Sequence, residues 1–305
     1  MYDLVIIGGG PAGMTAAVYA ARKRMNAVLV TKEVGGQVMW TMDIENYMGY
    51  QFITGPELIA KFEEQVRQFP LKIKYEEVNR LIVKDDGTFT VVSAEREYHS
   101  KTVIIASGKR PKRLGVPGEE EFAGRGVSYC ATCDGPLFAG KNVAVIGGGN
   151  SALQAAIELS QVADKVYLVA RNNYNADPIV VEKLKKSNNI VELSGDTKGI
   201  QGSQSVEKLI IASLDSREET DLPVQGVFVE IGLMPNSEYC DGVVKLNDGG
   251  EIVTDCRTRT KIPGLFAAGD VTNGPDKQIV IAAGDGAKAA LVAYEYLLHK
   301  RPHCG

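Results

Sequence analysis

The chain has 305 residues, of which 44% are hydrophobic and 24% charged, a composition typical of a globular protein of about two domains. This composition excludes a disordered, collagen-like or coiled-coil chain. Because 34 Lys and Arg stand against 38 Asp and Glu, the net charge of −4 gives no global attraction for nucleic acid or an anionic membrane surface. The sequence has neither the basic start of a signal peptide nor an apolar run long enough to span a bilayer. We therefore expect a cytoplasmic protein that binds neither nucleic acid nor membrane.

Two segments of the chain, 3–13 and 142–152, repeat one pattern: an apolar run, a glycine-rich turn and the start of an alanine-rich helix. A second apolar run follows each segment, at 27–30 and 166–169, so each copy predicts a strand–helix–strand unit with a right-handed crossover. Two units this far apart predict an α/β fold with two doubly wound, Rossmann-like dinucleotide-binding domains.

Two further predicted strands, 102–106 and 226–231, each end in a Gly and a Pro, and we interpret them as the points where the chain crosses between domains. On this interpretation the second domain is inserted into the first. The turn Asp85-Asp86-Gly87 between apolar runs also predicts a β-hairpin in the first domain. The predicted segments are 1–113 for the first part of the first domain, 114–239 for the inserted domain, and 240–305 for the rest of the first domain.

Both glycine turns match the G-x-G-x-x-G/A fingerprint of dinucleotide sites, and both stand after a strand and at the start of a helix. The missing side chains let the backbone approach a pyrophosphate, and the helix N-terminus supplies partial positive charge. The candidate binding residues are Gly8, Gly10, Pro11, Ala12 and Gly13 in the first turn and Gly147, Gly149, Asn150, Ser151 and Ala152 in the second.

The end of the second strand of such a unit distinguishes the nucleotides, because an acid there binds a ribose hydroxyl and an arginine accepts a 2′-phosphate. In the first unit Glu33 is the candidate ribose ligand, and a solvated loop carboxylate is the alternative. In the second unit the run Ala170-Arg171-Asn172 contains no acid. Arg171 is therefore a candidate for a 2′-phosphate contact, with a solvated surface charge as the alternative.

Cys130 and Cys133 form the one closely spaced pair among the five cysteines. A C-x-x-C spacing can close a disulfide and lowers the pKa of the attacking thiol, which favours thiol–disulfide exchange. The alternative is half of a zinc site, which needs two more ligands. The other candidate ligands form no second spaced pair: Cys240, Cys256, His303 and Cys304. We therefore predict redox chemistry and no metal.

Two aspartates stand where they could serve such chemistry. Asp134 directly follows Cys133 and is a candidate acid–base group, with a cap for the following turn as the alternative. Asp270 follows a short buried strand and a glycine, at the strand end where doubly wound folds bind ligands. Downstream, 277–279 precedes a predicted small-residue helix over 282–298, whose N-terminus could face the electron-rich edge of a flavin.

Taken together, these motifs resemble the low-molecular-weight thioredoxin reductases over nearly the whole chain. They are also similar to the C-terminal part of the flavoprotein subunit of alkyl hydroperoxide reductase. The resemblance implies that the first unit binds FAD, that Cys130 attacks a partner disulfide, and that Cys133 faces the flavin. It adds these residues to the FAD site, beside Glu33 and Asp270: Gly35, Gly36, Gln37, Asn46, Lys277, Gln278 and Ile279.

The activity that the resemblance implies is reduction of thioredoxin or a thioredoxin-like protein by a homodimer, with NADPH or NADH as the electron donor. NADPH-specific members carry a His-Arg-Arg run where this chain has Ala170-Arg171-Asn172, and NADH-preferring relatives place Glu at the position of Ala170. We therefore expect weak discrimination between the two nucleotides. The alternatives are ferredoxin or a deazaflavin coenzyme as the donor, and a flavin redox sensor without turnover.

Overall fold

The computed structural model describes residues 1–40, 44, 46–171, 173–214 and 216–300, without the side chains of Trp40, Cys133 and Lys300. The chain divides into two compact units. The sequence prediction of an α/β fold, in which a second doubly wound domain is inserted into the first, is confirmed. The first unit is Met1–Arg110 with Met234–Gly305, and the second unit is Pro111–Leu233.

The central strands are rich in Val, Ile and Leu, as expected for strands buried on both faces of a sheet. In chain order the strands are β1 (Tyr2–Gly9), β2 (Ala27–Val34), β3 (Lys72–Tyr75), β4 (Val78–Val83), β5 (Phe89–Ser93), β6 (Glu97–Ile105), β7 (Lys109–Pro111), β8 (Val127–Ser128), β9 (Asn142–Ile146), β10 (Lys165–Ala170), β11 (Ile190–Gly202), β12 (Val206–Ser213), β13 (Glu219–Pro223), β14 (Gly226–Val229), β15 (Leu233–Pro235) and β16 (Leu265–Ala267).

Local sequence signals mark the helix starts. Helix α2 begins at a capping box, in which the Thr54 hydroxyl accepts from the Glu57 N–H and the Glu57 carboxylate accepts from the Thr54 N–H. Among the described residues, no helix is both long enough and apolar enough to cross a bilayer. The helices are α1 (Pro11–Arg22), α2 (Gly55–Arg67), α3 (Ala131–Asp134), α4 (Asn150–Leu159), α5 (Pro178–Leu184) and α6 (Ile279–Lys300), with 3₁₀ helices at Gly36–Trp40, Gly135–Phe138, Glu238–Cys240 and Gly269–Val271.

The first unit contains a mixed sheet in the order β3-β2-β1-β6-β5-β4, with β16 also paired to β6. Strands β3, β2, β1, β6 and β16 are parallel, whereas β5 runs antiparallel to the first half of β6. Val83 pairs with Phe89 across the turn at 85–87, which confirms the predicted hairpin. The carboxyl ends of β1, β6 and β16 therefore lie at one edge of the sheet.

The second unit repeats this plan in the order β13-β12-β11-β10-β9-β14-β8. The strands from β11 to β8 are parallel. The first half of β11 pairs in parallel with β10, and its second half pairs antiparallel with β12. The carboxyl ends of β9, β10 and β14 again share one edge.

Each sheet buries both of its faces, which explains why its central strands are continuous apolar runs. Side chains of a strand alternate between the two faces. In β1, Leu4 and Ile6 pack in a core with α1 and α6, and Val5 and Ile7 pack in a second core on the opposite face. Strand β9 alternates in the same way between the two cores of the second unit.

Strands β7 and β15 pair with each other where the chain passes from one unit to the other. The compact units divide at 110–111 and 233–234. These positions are a few residues before the boundaries that the sequence suggested, 113–114 and 239–240.

Candidate functional site

The first glycine turn joins the carboxyl end of β1 to the start of α1, and its glycines have different surroundings. A Cβ added at Gly8, whose φ is +106°, would lie 2.3 Å from the carbonyl oxygen of Ala106. A Cβ added at Gly13 would lie 1.8 Å from the carbonyl oxygen of Gly8. For a Cβ added at Gly10, the one atom of the described residues within 4 Å is the carbonyl oxygen of Gly35, at 3.9 Å. Gly8 and Gly13 therefore serve close packing, whereas Gly10 leaves open space beside the helix N-terminus.

The N-terminus of α1 is arranged to accept an anion. No side chain among the described residues caps Gly10, and the first turn of the helix contains no acid. Pro11 stands at the start of the helix, where its missing N–H removes no hydrogen bond. The remaining free N–H groups and the helix dipole favour a negative group such as a phosphate.

Small residues bring other segments of the first unit against this helix start. A Cβ added at Gly286 of α6 would lie 2.0 Å from the carbonyl oxygen of Ala12. A Cβ added at Gly269 would lie 3.0 Å from the Ala12 Cβ. The 3₁₀ helix that contains Asp270 and the first turns of α6 therefore lie beside the glycine turn.

Asp270 is half-buried, and this burial raises the pKa of its carboxyl group although Lys277 and Lys109 lower it. None of the described residues donates a hydrogen bond to it. Its positive-φ neighbour Gly269 (φ +76°) turns the chain so that Asp270 follows the carboxyl end of β16. The carboxylate is thus an acceptor at the edge where a ligand of this sheet would bind.

A cluster of three charged side chains surrounds the Asp270 region. Lys277 donates to the carbonyl oxygen of Thr272 at 2.5 Å, and its Nζ lies 3.2 Å from the Glu251 Oε1. The same oxygen lies 2.9 Å from the Lys109 Nζ. Burial raises the pKa of Glu251, but hydrogen bonds from Lys109, Asn247 and Lys277 outweigh it and lower this pKa to about 2. Sequence reasoning identified Lys277 and missed its two charged neighbours, which carry no motif.

Some of the other residues predicted for the first site are in contact with one another or with the glycine turn. The Asn46 amide donates to the Gln278 Oε1 at 3.1 Å, across 232 positions of the chain. The Gly35 N–H donates to the Gly9 carbonyl oxygen at 2.8 Å, so the segment with Gly36 and Gln37 begins beside the glycine turn. The Glu33 side chain is exposed within β2, and Ile279 is half-buried at the start of α6.

The second glycine turn reproduces the first between β9 and α4. A Cβ added at Gly147 (φ +144°) would lie 2.2 Å from the carbonyl oxygen of Glu230, whereas one at Gly149 would be no closer than 3.8 Å to the described chain, at Asn175. No described side chain caps Gly149, and the first turn of α4 contains no acid. Ala152 is fully buried in the core beneath the helix. The second unit therefore also presents an open helix N-terminus.

Two acids hold the polar residues of this turn. The Asn150 amide donates to the Asp177 Oδ2 at 3.0 Å and accepts from the Asp177 N–H at 2.7 Å. The Ser151 hydroxyl donates to the carboxylate of Glu230, which follows β14 at the same edge. Burial raises the pKa of Glu230, with the Ser151 hydrogen bond acting in the opposite direction and Glu158 adding to the increase. Glu230 was not among the residues predicted from the sequence, although an acid directly after a buried strand was the available signal.

Arg171 lies just beyond β10, with 75% of its side chain exposed, and its Nε forms an ion pair with the Asp196 Oδ1. The Lys198 Nζ lies 3.7 Å from the other oxygen of that carboxylate. The sequence predicted Arg171 and missed Asp196. Asn172, which follows Arg171, lies outside the described residues.

The C-x-x-C segment forms the one-turn helix α3, with Cys130 directly before it. Cys130 is disulfide-bonded, and the side chain of Cys133 lies outside the described residues. The Thr132 hydroxyl donates to the Glu158 Oε2 of α4 at 2.9 Å, which fixes α3 on the helix of the second glycine turn. The Asp134 N–H donates to the Cys130 carbonyl oxygen at 3.2 Å, and its side chain is half-buried.

Two further cysteines lie in the part of the chain that the structure describes. Cys240 is a buried free thiol and Cys256 an exposed one. Residues 301–305, with His303 and Cys304, lie outside the described residues. Within the described part of the chain, no group of three or more His, Cys, Asp or Glu side chains could hold a metal ion.

The chain is similar in sequence to known oxidoreductases, both to a family and to individual relatives. The family described as pyridine nucleotide-disulphide oxidoreductase matches residues 2–286. The NADH dehydrogenase of Bacillus subtilis (strain 168) is 42% identical over 299 residues, which cover 97% of this chain and 59% of that protein. An alkyl hydroperoxide reductase component of Pseudomonas aeruginosa is 43% identical over 304 residues, 97% of this chain and 58% of that protein. The chain thus spans less than two thirds of the length of these curated relatives.

Solved structures match the chain over its length. Thioredoxin reductase of Lactococcus lactis superposes with a TM-score of 0.88 at 37% identity, covering 98% of this chain and 100% of that one. Thioredoxin reductase of T. acidophilum superposes with a TM-score of 0.84 at 39% identity, covering 97% and 99% of the two chains.

Proposed function

Since this chain belongs to the pyridine nucleotide-disulphide oxidoreductase family, we propose that it is an FAD-dependent disulfide reductase. Electrons would pass from a nicotinamide dinucleotide through FAD and the Cys130–Cys133 disulfide to thioredoxin or a thioredoxin-like protein. One observation carries the proposal: each unit presents an uncapped helix N-terminus at a glycine turn, and Cys130 of the second unit is disulfide-bonded. The chain therefore combines two sites for dinucleotides with a redox-active group.

The residues of the first unit fit FAD. The open space at Gly10 and the free N–H groups of α1 suit a pyrophosphate. The half-buried Asp270, to which no described residue donates, can accept from hydroxyl groups of the ribityl chain. The paired amides of Asn46 and Gln278 can present donors and acceptors to a flavin ring. When bound, FAD supplies a two-electron carrier between a nicotinamide and a disulfide.

The residues of the second unit fit a nicotinamide dinucleotide. Gly149 leaves room for its pyrophosphate at the N-terminus of α4, and the hydrogen bonds of Asn150 and Asp177 fix the loop that follows β10. Glu230, half-buried and held by Ser151, lies at the same strand edge. We assign to it the role of holding the nicotinamide end of the donor in place.

Cys130 and Cys133 together can supply the two electrons that reduce a partner disulfide. In the reduced pair, the Cys130 thiolate attacks one sulfur of the partner disulfide, forms a mixed disulfide and releases a partner thiolate. The Cys133 thiolate then attacks Cys130, which restores the Cys130–Cys133 disulfide and releases the second partner thiolate. Two electrons reach the partner, whose thiolates take protons from solvent. Asp134 beside the pair is the proposed acceptor of the proton that the Cys133 thiol loses before it attacks.

Trapping tests the roles of the cysteines. Cys133→Ser should accumulate a mixed disulfide between Cys130 and an oxidised thioredoxin, seen by mass spectrometry, whereas Cys130→Ser should not. Cys256→Ser is the matched control, because it removes an exposed free thiol, and it should leave turnover unchanged. Trapping by Cys130→Ser but not by Cys133→Ser would reverse the assignment.

A second experiment tests the cofactor and the donor. The purified protein should be yellow with one FAD per chain, and anaerobic addition of NADH, NADPH or reduced ferredoxin, in parallel, should show which donor bleaches the flavin. A folded, colourless protein that takes up no added FAD would overturn the proposal. Reduction by ferredoxin or a deazaflavin coenzyme alone would keep the disulfide chemistry and replace the donor.

We also propose that the chain forms a homodimer. Exposed apolar side chains lie along α6, among them Val280, Ile281 and Leu291. Such a surface suits burial against a second copy. Sedimentation equilibrium should give twice the chain mass, and Ile281→Lys should shift the equilibrium towards monomer.

A further inference from the structure

The ion pair of Arg171 changes how the second dinucleotide site should treat its ligands. In the parallel register of β10 and β11, Ala170 lies opposite Ser194. Arg171 directly follows β10, and Asp196 lies within β11, two residues past Ser194, which explains why their side chains meet. Asp196 is only 25% exposed, so the guanidinium lies over a carboxylate that is partly buried in the unit.

A second cation shares the Asp196 carboxylate. Lys198 lies 3.7 Å from Asp196, and Glu192 accepts from the Tyr174 hydroxyl at 2.7 Å. The Tyr174 ring faces the glycine turn, because a Cβ added at Gly148 would lie 3.8 Å from it. Among the described residues, the Asp196 carboxylate thus lies within ion-pair distance of both Arg171 and Lys198.

A 2′-phosphate adds between about one and a half and two negative charges at neutral pH, and its recognition needs a cation free to make charge-assisted hydrogen bonds. Asp196 holds the Nε of Arg171, so a phosphate bound by the other N–H groups of this guanidinium would lie beside the Asp196 carboxylate. The carboxylate would repel that phosphate and offset the attraction of Arg171. A nucleotide with a 2′-hydroxyl does not meet this repulsion.

We propose that Asp196 makes the second dinucleotide site select NADH over NADPH by holding Arg171 in an ion pair. This proposal rests on the proposed function, because it concerns the donor of the same enzyme. Asp196 acts here as a positioning residue, and Arg171 is the residue whose availability decides the specificity.

The test uses the purified flavoprotein and measures two quantities, the dissociation constants of NAD⁺ and NADP⁺ and the anaerobic rates of flavin reduction by NADH and NADPH. We expect the wild type to favour the NAD form at least about tenfold. Asp196→Asn should tighten NADP⁺ about tenfold or more with little change for NAD⁺. In the double variant with Arg171→Ala this gain should disappear. Arg171 is largely exposed, so its removal should not impair folding.

Asp221→Asn is the matched control. Asp221 pairs with Lys208 between β12 and β13, so its substitution removes the same charge from an exposed ion pair elsewhere in the unit. It should leave the NAD⁺ to NADP⁺ ratio unchanged. A wild type that favours NADP⁺, or an Asp196→Asn protein with native circular dichroism and an unchanged ratio, would overturn the inference.

Nucleotide selectivity and reduction of a protein disulfide are measured independently. If neither nucleotide binds or reduces the flavin, but the dithionite-reduced protein still reduces thioredoxin, the inference is wrong and the disulfide chemistry stands. If the nucleotide ratios change as expected and no protein disulfide is reduced, the inference stands and the proposed partner is wrong.

Discussion

Glu251 is a single carboxylate held between Lys109 and Lys277, and its pKa of about 2 makes its contribution to stability dependent on pH. The pKa in the folded protein lies below the unfolded value of about 4.3, so the stabilisation is fully present above that value and is lost as the pH falls towards 2. We predict that Glu251→Gln lowers the thermal midpoint at neutral pH, by the equivalent of about 1 to 2 kcal/mol. The difference in thermal midpoint between Glu251→Gln and the wild type should disappear as the pH falls from about 4.5 to about 2.

The control for this prediction is Glu77→Gln, which removes an exposed ion pair with Lys32. Exposed pairs contribute roughly 0 to 1 kcal/mol, so its midpoint should stay close to that of the wild type at every pH. If Glu251→Gln lowers the thermal midpoint equally at neutral and acidic pH, the stabilisation does not come from ionisation of Glu251.

Gly10 and Gly13 belong to one motif, but the structure predicts opposite consequences for their substitution. Gly10→Ala places a methyl group in open space, so the thermal midpoint of the FAD-free protein should change little while FAD affinity falls at least about tenfold. Gly13→Ala forces a Cβ to within 1.8 Å of the Gly8 carbonyl oxygen, so the fold itself should be destabilised by several kcal/mol, in roughly the range of severe core substitutions. Calorimetry of the apoprotein and flavin fluorescence titration measure the two effects. Equal loss of stability in both variants would contradict this division of roles.

Among the elements, α6 and α1 illustrate how a helix contact shapes the first site. Gly286 lets α6 approach the Ala12 carbonyl oxygen, whereas Gly284, on the same helix, has nothing described within 4 Å of an added Cβ. We predict that Gly286→Ala forces the helices apart and lowers both the thermal midpoint and FAD affinity. Gly284→Ala should be neutral or stabilise the protein by up to about 1 kcal/mol, because Ala favours helix over Gly. Similar midpoints for the two variants would contradict the packing argument.

Helix α3 is a single turn, too short to be stable alone, and depends on its contact with α4. We predict that Thr132→Val, which removes the hydrogen bond to Glu158, increases hydrogen exchange at the Asp134 amide about fivefold, the equivalent of roughly 1 kcal/mol. Thr132→Ser retains the hydroxyl and should exchange as the wild type does. Unchanged exchange in Thr132→Val would show that packing alone holds α3.

At the scale of the whole molecule, the second unit has the properties of an independent domain. Its ends lie together, because the Lys112 N–H donates to the Gly232 carbonyl oxygen at 2.9 Å, and its two apolar cores draw their members from residues 111–233. We predict that a 111–233 fragment folds alone with a cooperative thermal transition, binds NAD⁺ and takes up no FAD. An unfolded fragment, or one that binds FAD, would contradict the assignment of separate sites to the two units.

Elements whose causes lie within a few residues of each other could be predicted from the sequence. The apolar runs 4–7 and 143–146 form β strands, and the glycines after them form tight turns into helices, because strand, turn and helix starts depend on local backbone freedom and side-chain period. The hairpin at 85–87 follows from the same local chemistry. The repetition of this pattern predicted two dinucleotide-binding domains, and the Gly and Pro after strands 102–106 and 226–231 predicted that the second is inserted into the first.

Contacts between side chains that are distant in the chain could not be predicted in this way. The sequence around Glu251 contains no motif that distinguishes it from the other acidic residues of the chain. In the folded protein, its carboxylate nevertheless contacts Lys109 and Lys277. Likewise, the parallel pairing of β10 with β11 brings the Arg171 guanidinium to the Asp196 carboxylate. Charge–charge contacts carry no sequence period, and each acid in the chain has many possible partners. Only the folded geometry selects among them.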